Sequence, residues 1–385
     1  MDMVRVTNIC SNIHFVNIVF RANQESEVMF MTIGERIRVR RKCLGLSLRD
    51  LAEKIERSHT TVDKYEKGLL VPDSGVLIRI SDVLEIPLAA LLRPSRHTRE
   101  IPQGQISFRT KKITGKERAQ IEAETQDWLE RYLSIEDLSG IRRIFEMPAG
   151  FPRVVSGYDD VEIAADDLRK VWDLGTHPID NLTSLLEDKG VKIGIIRGIT
   201  KFDALCTSFG DDLVILMRSG LTYARQRFTL AHELGHCLLI PEDGMDHEKV
   251  MHRFAGAFLV PSTRVFFELG RSRRHISIHE LTIVKEKYGL SMSAWIYRAS
   301  DLGIISADTH TRMRKEFSTL GWNRKEPGDE KAGDDPVSFE SLVYRSHAEG
   351  IISTSKAAEL LNQPIAEFFI LNGEISRDNS SLVCH

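Results

Sequence analysis

Between residues 33 and 92, apolar positions recur every three to four residues in short runs cut by turn residues. Ile33–Cys43 is amphipathic and basic, and Gly45 stops it. Ser47 is placed to cap Leu48–Ile55, with Asp50 three positions on as the weaker partner of a capping box. Ser58 precedes a helix over Thr60–Lys67 that ends at Gly68. Pro72 and Asp73 open Ser74–Leu84, and Ile86-Pro87 starts a last turn, Leu88–Leu92. The spacing thus predicts a five-helix bundle over 33–95.

The pattern then changes. Residues 96–157 read as a connector with one helical stretch, Lys116–Leu133. Residues 158–270 combine helices over Val161–Leu174 and Ile179–Asp188 with three short alternating runs, Val191–Ile196, Ala204–Ser208 and Leu213–Met217. Those runs predict strands, and helices over Arg225–Ile240 and Glu248–Leu259 follow. Leu281–Tyr288 and Ser291–Leu302, joined at Gly289-Leu290, give 271–325 a second helix–turn–helix-like pattern. Residues 326–337 contain EPGDEKAGDDP, an acidic Pro/Gly-rich linker, and 338–385 hold a small helical pair and a tail. Residues 1–32 precede the first ordered pattern, and Met29 or Met31 is a candidate start.

Composition narrows the class. In 385 residues, 42% are hydrophobic and 28% charged, which excludes collagen-like and wholly disordered chains. The net charge of −3 means that any nucleic-acid contact rests on a local basic face. Five cysteines without a CxxC argue against a disulfide framework and a cysteine zinc site, and suit a reducing cytoplasm. No stretch reaches the ~18 apolar residues of a membrane span, so no membrane partner is expected.

His232-Glu233-Leu234-Gly235-His236 is an HExxH string within an apolar helical segment, Phe228–Leu239. Positions four apart share a helix face, so both imidazoles can converge on one Zn2+ while Glu233 stands beside it as general base. A third ligand is required for catalysis. Glu242, His247, Glu248 and His252 follow; spacing ranks Glu248 above His252, which otherwise lies behind the ligands or on the surface. Cys237 reads as a small buried hydrophobe, or else as a redox-sensitive thiol or ligand. The sequence does not choose an oxyanion-stabilising residue among Tyr288, His275, Arg264 and His252.

Residues 48–67 have helix–turn–helix spacing. Leu48, Leu51, Ala52 and Ile55 form one apolar face, and Val62 and Tyr65 hold the second helix to it. His59, Thr60, Thr61, Asp63 and Lys64 face outward at the start of that helix, where major-groove contacts are made. Residues 33–95 carry 12 Lys and Arg against nine Asp and Glu. Arg36, Arg40 and Arg41 on the first helix are candidate phosphate contacts.

The two motifs carry a resemblance. GLSLRDLAEKIERSHTTVDKYEKG followed by VLIRISDVLEIPLAALL resembles the XRE (Cro and phage-repressor type) helix–turn–helix family. RQRFTLAHELGH followed by EKVMHRFAGAFLVP resembles the ImmA/IrrE metallopeptidase family, and VKEKYGLSMSAWIYRASDLGII and Leu320–Trp322 also fit it. The fold then implied is mostly α with a small zincin-like α+β domain, between an N-terminal XRE-type bundle and C-terminal helical segments. The resemblance implies His232 and His236 as zinc ligands, Glu233 as base and Glu248 as third ligand. Met251 and His252 stand where the family has a small residue and Asn or Asp, which leaves His252 as an alternative ligand.

Two functions follow. The first is a DNA-binding transcriptional regulator with a zinc endopeptidase domain that cleaves a partner repressor or antitoxin. The second is a non-catalytic repressor or antitoxin whose zinc domain senses or binds a partner. Both expect a double-stranded operator and a homodimer, the latter by family analogy.

Overall fold

Short polar side chains start most helices, because their oxygens satisfy amides that the first turn leaves open. Thr32 with Glu35 forms a capping box on α1 (Ile33–Cys43), and Ser47 with Asp50 forms one on α2 (Leu48–Lys54). Ser58 caps α3 (His59–Glu66), Asp73 caps α4 (Ser74–Val83), and α5 (Leu88–Leu92) follows. Ile37, Leu51, Ala52, Ile55, Val62, Val76 and Ile80 meet in one core. Gly34 permits the α1–α3 crossing: a Cβ there would lie 2.8 Å from the Glu66 carbonyl oxygen and closer still to that of Tyr65.

This computed structural model describes residues 32–86, 88–92, 114–322, 325–328 and 333–371. The candidate starts Met29 and Met31, and Cys10 and Cys384, lie outside them. The described residues divide into two compact units. One takes 144–195 and 203–335; the other takes the described parts of 24–143, 196–202 and 336–385.

Helix α6 (Gly115–Ser139) extends beyond the predicted Lys116–Leu133, from a Thr114–Glu117 capping box to left-handed Gly140. β1 (Arg153–Val155) precedes α7 (Tyr158–Val171), which lies three residues upstream of the predicted helix because Asp173 turns left-handed at φ 54°. Asn181 caps α8 (Leu182–Asp188). β2 (Lys192–Ile196), β3 (Ala204–Phe209) and β4 (Asp212–Arg218) form a sheet of order β2-β4-β3. β3 and β4 are antiparallel, with Cys206 opposite Ile215, and Gly210 at φ 58° makes the tight turn between them.

Helix α9 (Tyr223–Leu238) stops short of the predicted Ile240, because β5 (Leu239–Pro241) pairs in parallel with β1. A three-residue strand shows no period of its own; its distant partner defines it. α10 (His247–Leu259), α11 (Ser262–Leu269), α12 (Ile278–Tyr288), α13 (Met292–Asp301) and α14 (Ala307–Thr319) complete this unit. α9 packs on β3 and α10, and α10 on α7, around Leu230, Leu234, Phe254, Phe258 and Trp295.

The segment predicted as an acidic Pro/Gly-rich linker is partly docked in its described portions. The Glu326 carboxylate accepts from the amides of Met292 and Ser293, which opens α13, and pairs with Lys285 at 3.5 Å. Gln226 donates to the Asp334 carbonyl at 2.7 Å. In the other unit, α15 (Ser338–Ala348) and α16 (Thr354–Leu360) pack on α6, and α17 (Ile365–Leu371) follows. Tyr132, Ile135, Phe339, Val343 and Phe368 form the core there. Among the described residues, no helix is long and apolar enough to cross a membrane.

Candidate functional site

The centre of the site is the second half of α9. His232 and His236 share one face a helical turn apart, and their Nε2 atoms stand 3.1 Å from each other. Two imidazole nitrogens so placed can share only one proton, so one lone pair faces the gap even when both rings are neutral. Glu248 enters from the first turn of α10, which Asp246 caps. Its carboxylate oxygens lie 3.3 Å from His232 Nε2 and 3.9 Å from His236 Nε2. The three ligand atoms all fall within 4.8 Å of one another. Two nitrogens and one carboxylate oxygen are the donor set of a three-ligand divalent-metal site, so these residues could hold such an ion.

Close helix packing brings Glu248 in. Gly235 has no Cβ; one built there would meet Phe254 Cδ1 at 2.9 Å and Met251 Sδ at 3.2 Å. Any larger residue would force the Phe254 ring or the Met251 side chain of α10 to shift. Exposure is uneven: the His236 side chain is 6% exposed and that of Glu248 49%, so the group opens to solvent on the carboxylate side. Glu233 is half-buried on the same helix.

His252 lies beside this group rather than in it. Its ring stacks on Phe228 and tilts against His232, with centroids 4.7 Å apart in the second case. Burial, and then the His232 ring, hold its pKa below the ordinary histidine value. Nδ1 of His232 is buried and has no hydrogen-bond partner among the described residues. Among the oxyanion candidates, the Tyr288 hydroxyl donates to Glu268 at 2.7 Å. Burial and that carboxylate push its pKa up to about 12. Arg264 contacts His177 Nδ1 at 3.3 Å, and His275 is exposed.

A cavity of about 1100 Å³, which the sequence does not reveal, lies along the N-terminal half of α9. Arg225, Phe228, Lys249, His252, Tyr297 and Arg314 line it. Cationic and aromatic residues spread over four helices carry no local signature, so only packing exposes the cavity.

The helix–turn–helix region distributes its candidates differently. His59, Thr60 and Lys64 are exposed on α3, whereas Thr61 and Asp63 are half-buried. Ser58 Oγ lies 2.8 Å from the hydroxyls of both Thr60 and Thr61, and Asp63 pairs with Lys67 at 2.7 Å. The three arginines expected at phosphates have internal partners instead. Arg41 donates to both Glu66 oxygens, at 2.5 and 2.8 Å, and to the Leu46 carbonyl. Arg40 donates to the carbonyls of Leu84 and Glu85 at the end of α4. Arg36 is buried and pairs with Glu130 of α6 at 3.6 Å. Arg36 and Arg41 of α1 are therefore buried and Arg40 and Lys42 half-buried, while Arg38 on α1 and Arg49 on α2 are exposed.

Comparison with known proteins supports both motifs. Residues 32–93 match the model of a helix-turn-helix domain, and residues 199–300 match that of the IrrE N-terminal-like domain, a peptidase family. The chain is 42% identical over 59 residues to the HTH-type transcriptional regulator DicA of Escherichia coli (strain K12), which covers 15% of this chain and 44% of that protein. The chain thus spans less than half the length of this curated relative.

Proposed function

From a chain that joins an XRE-type helix-turn-helix domain to an IrrE N-terminal-like peptidase domain, we propose a DNA-binding regulator with a zincin-like, zinc-dependent endopeptidase domain. The observation that carries the peptidase half is the convergence of His232, His236 and Glu248 within 4.8 Å, with Glu233 in the same HExxH turn.

His232, His236 and Glu248 would hold the metal. Zinc, when bound, supplies Lewis acidity toward the scissile carbonyl and its water. Glu233 takes the proton of the attacking water and passes it to the leaving amine. A partner repressor or antitoxin would present an extended segment along an outer strand of the β2-β4-β3 sheet. His59, Thr60 and Lys64 would enter the major groove of a double-stranded operator, bound as a homodimer.

One observation favours the non-catalytic reading, in which the metal domain senses or binds a partner. Met251 and His252 stand where the resemblance implies a small residue and Asn or Asp, so the surroundings of the ligands depart from those of a family peptidase. Metal analysis tests the shared foundation. Wild type is expected to retain zinc, whereas His232→Ala and Glu248→Ala lose it while keeping the fold by circular dichroism. Equal zinc content in all three would overturn the three-ligand site.

A further inference from the structure

Two cysteines that the metal site does not use meet behind it. Cys206 lies in β3, and Cys237 is the second-last residue of α9, directly after His236. Their sulfurs are 3.1 Å apart and neither is part of a disulfide. β3 and α9 pack directly on each other, and Cys206 is part of the core beneath the site, with Cys237 packed against it. A disulfide needs sulfurs about 2.05 Å apart, so closure requires a movement of roughly 1 Å. Cys206 is buried and Cys237 half-buried, so a small oxidant reaches the pair from the Cys237 side.

We propose that Cys206 and Cys237 form a reversible disulfide when the protein meets a peroxide, and that this cross-link weakens metal binding at His232, His236 and Glu248. The second clause rests on the metal-site reading above; the first does not.

The chemistry balances with hydrogen peroxide as oxidant. One thiol sulfur attacks the peroxide; the O–O bond breaks, sulfenic acid forms and one water leaves. The other thiol sulfur displaces the sulfenic oxygen. The S–S bond forms, and a second water carries away the remaining thiol hydrogen. A dithiol reverses the reaction by exchange.

Coupling to the metal site follows from the same turn. The Cys237 thiol contacts the Glu233 carbonyl at 3.4 Å. Disulfide formation removes the thiol hydrogen and draws Sγ toward β3. The strained segment is the turn that carries both Glu233 and His236. It has little slack, since Gly235 is pressed against Phe254 and the chain turns into β5 at Leu239.

The test uses the reduced full-length chain, with and without zinc, treated with stoichiometric hydrogen peroxide, quenched, alkylated and mapped by mass spectrometry. The expected product is one linked peptide pair holding Cys206 and Cys237, lighter by two hydrogens and lost on dithiothreitol treatment. Cys43 is the internal control: it lies buried on α1 and stays alkylatable only after unfolding. Zinc affinity of the oxidised protein, read against a chromophoric chelator, is expected to fall about 10–100-fold, as for loss of a contact behind a ligand. Cys206→Ala and Cys237→Ala should abolish both effects; the wild-type map stands even if either variant fails to fold. Separate oxidation of the two sulfurs to sulfinic acids, or two thiols that remain alkylatable, overturns the disulfide. A disulfide with unchanged zinc affinity overturns the coupling alone. A protein that never takes up zinc overturns the metal-site reading and leaves the cross-link result intact.

Discussion

The helix–turn–helix region and the α9–α10 pair are both made of short capped helices, yet they use charged groups in opposite ways. In α1, arginines that would suit a phosphate-binding surface turn inward. Arg41 closes on Glu66, and Arg40 on the end of α4. In α9 and α10, side chains that would be costly to bury are brought together with their donor atoms converging. One region uses Arg36, Arg40 and Arg41 as internal fastening and leaves Arg38, Arg49, His59, Thr60 and Lys64 outside. The other gathers two imidazoles and a carboxylate at a partly open point. A basic run on a helix is therefore a weaker guide to function than a pair of ligands a turn apart. The fate of the first depends on what packs against it, whereas the helix itself dictates the second.

The contrast can be broken most directly at Glu233. Glu233→Gln should keep zinc and DNA affinity but lower cleavage of a partner repressor by about 10²–10⁴-fold. Unchanged cleavage by a zinc-loaded variant would remove Glu233 from the chemistry.

Arg41→Ala addresses the other side. It strands the buried Glu66 carboxylate, so urea denaturation should show a loss of about 3–5 kcal/mol. The salt dependence of operator binding by the folded fraction should stay unchanged. A shallower salt slope at wild-type stability would return Arg41 to the phosphate backbone.

Gly34→Ala forces a methyl group against the Tyr65 and Glu66 carbonyls, with an expected cost of about 1–3 kcal/mol in the same measurement. Gly68→Ala serves as the comparison, since no atom lies within 4 Å of its missing Cβ and only its positive φ is strained.

The smallest effect is a pH dependence. The Tyr288 pKa is raised to about 12 in the folded protein by burial and the Glu268 carboxylate, against 10.0 unperturbed. The folded state therefore holds this proton where the unfolded chain has released it. Its stabilising contribution is complete below pH 10 and is lost as pH rises toward 12. Denaturation midpoints should decline across that window, and less so in Tyr288→Phe. An ultraviolet titration placing this phenol near pH 10 would contradict the burial argument.

Much of the architecture was legible in local signals. Ser47, Ser58 and Asp73 marked helix starts because a capping oxygen acts within three residues. The facing of His232 and His236 follows from helical pitch alone. Spacing ranked Glu248 above His252; the Glu248 oxygens lie 3.3 and 3.9 Å from the two imidazoles, and His252 stands beside His232. The short strands β1 and β5 were not legible, because three residues carry no period and their pairing joins positions far apart in the chain.

Taken alone, the chain determined what nearest neighbours along a backbone can enforce: where helices begin, which faces are apolar, and that two imidazoles share one face. Packing alone decided the rest. It turned Arg36 and Arg41 toward carboxylates, seated Glu326 on the open end of α13, and set Cys206 against Cys237 across 31 residues of sequence separation. Those outcomes depend on which surfaces exclude water together, and that depends on distance in space rather than along the chain.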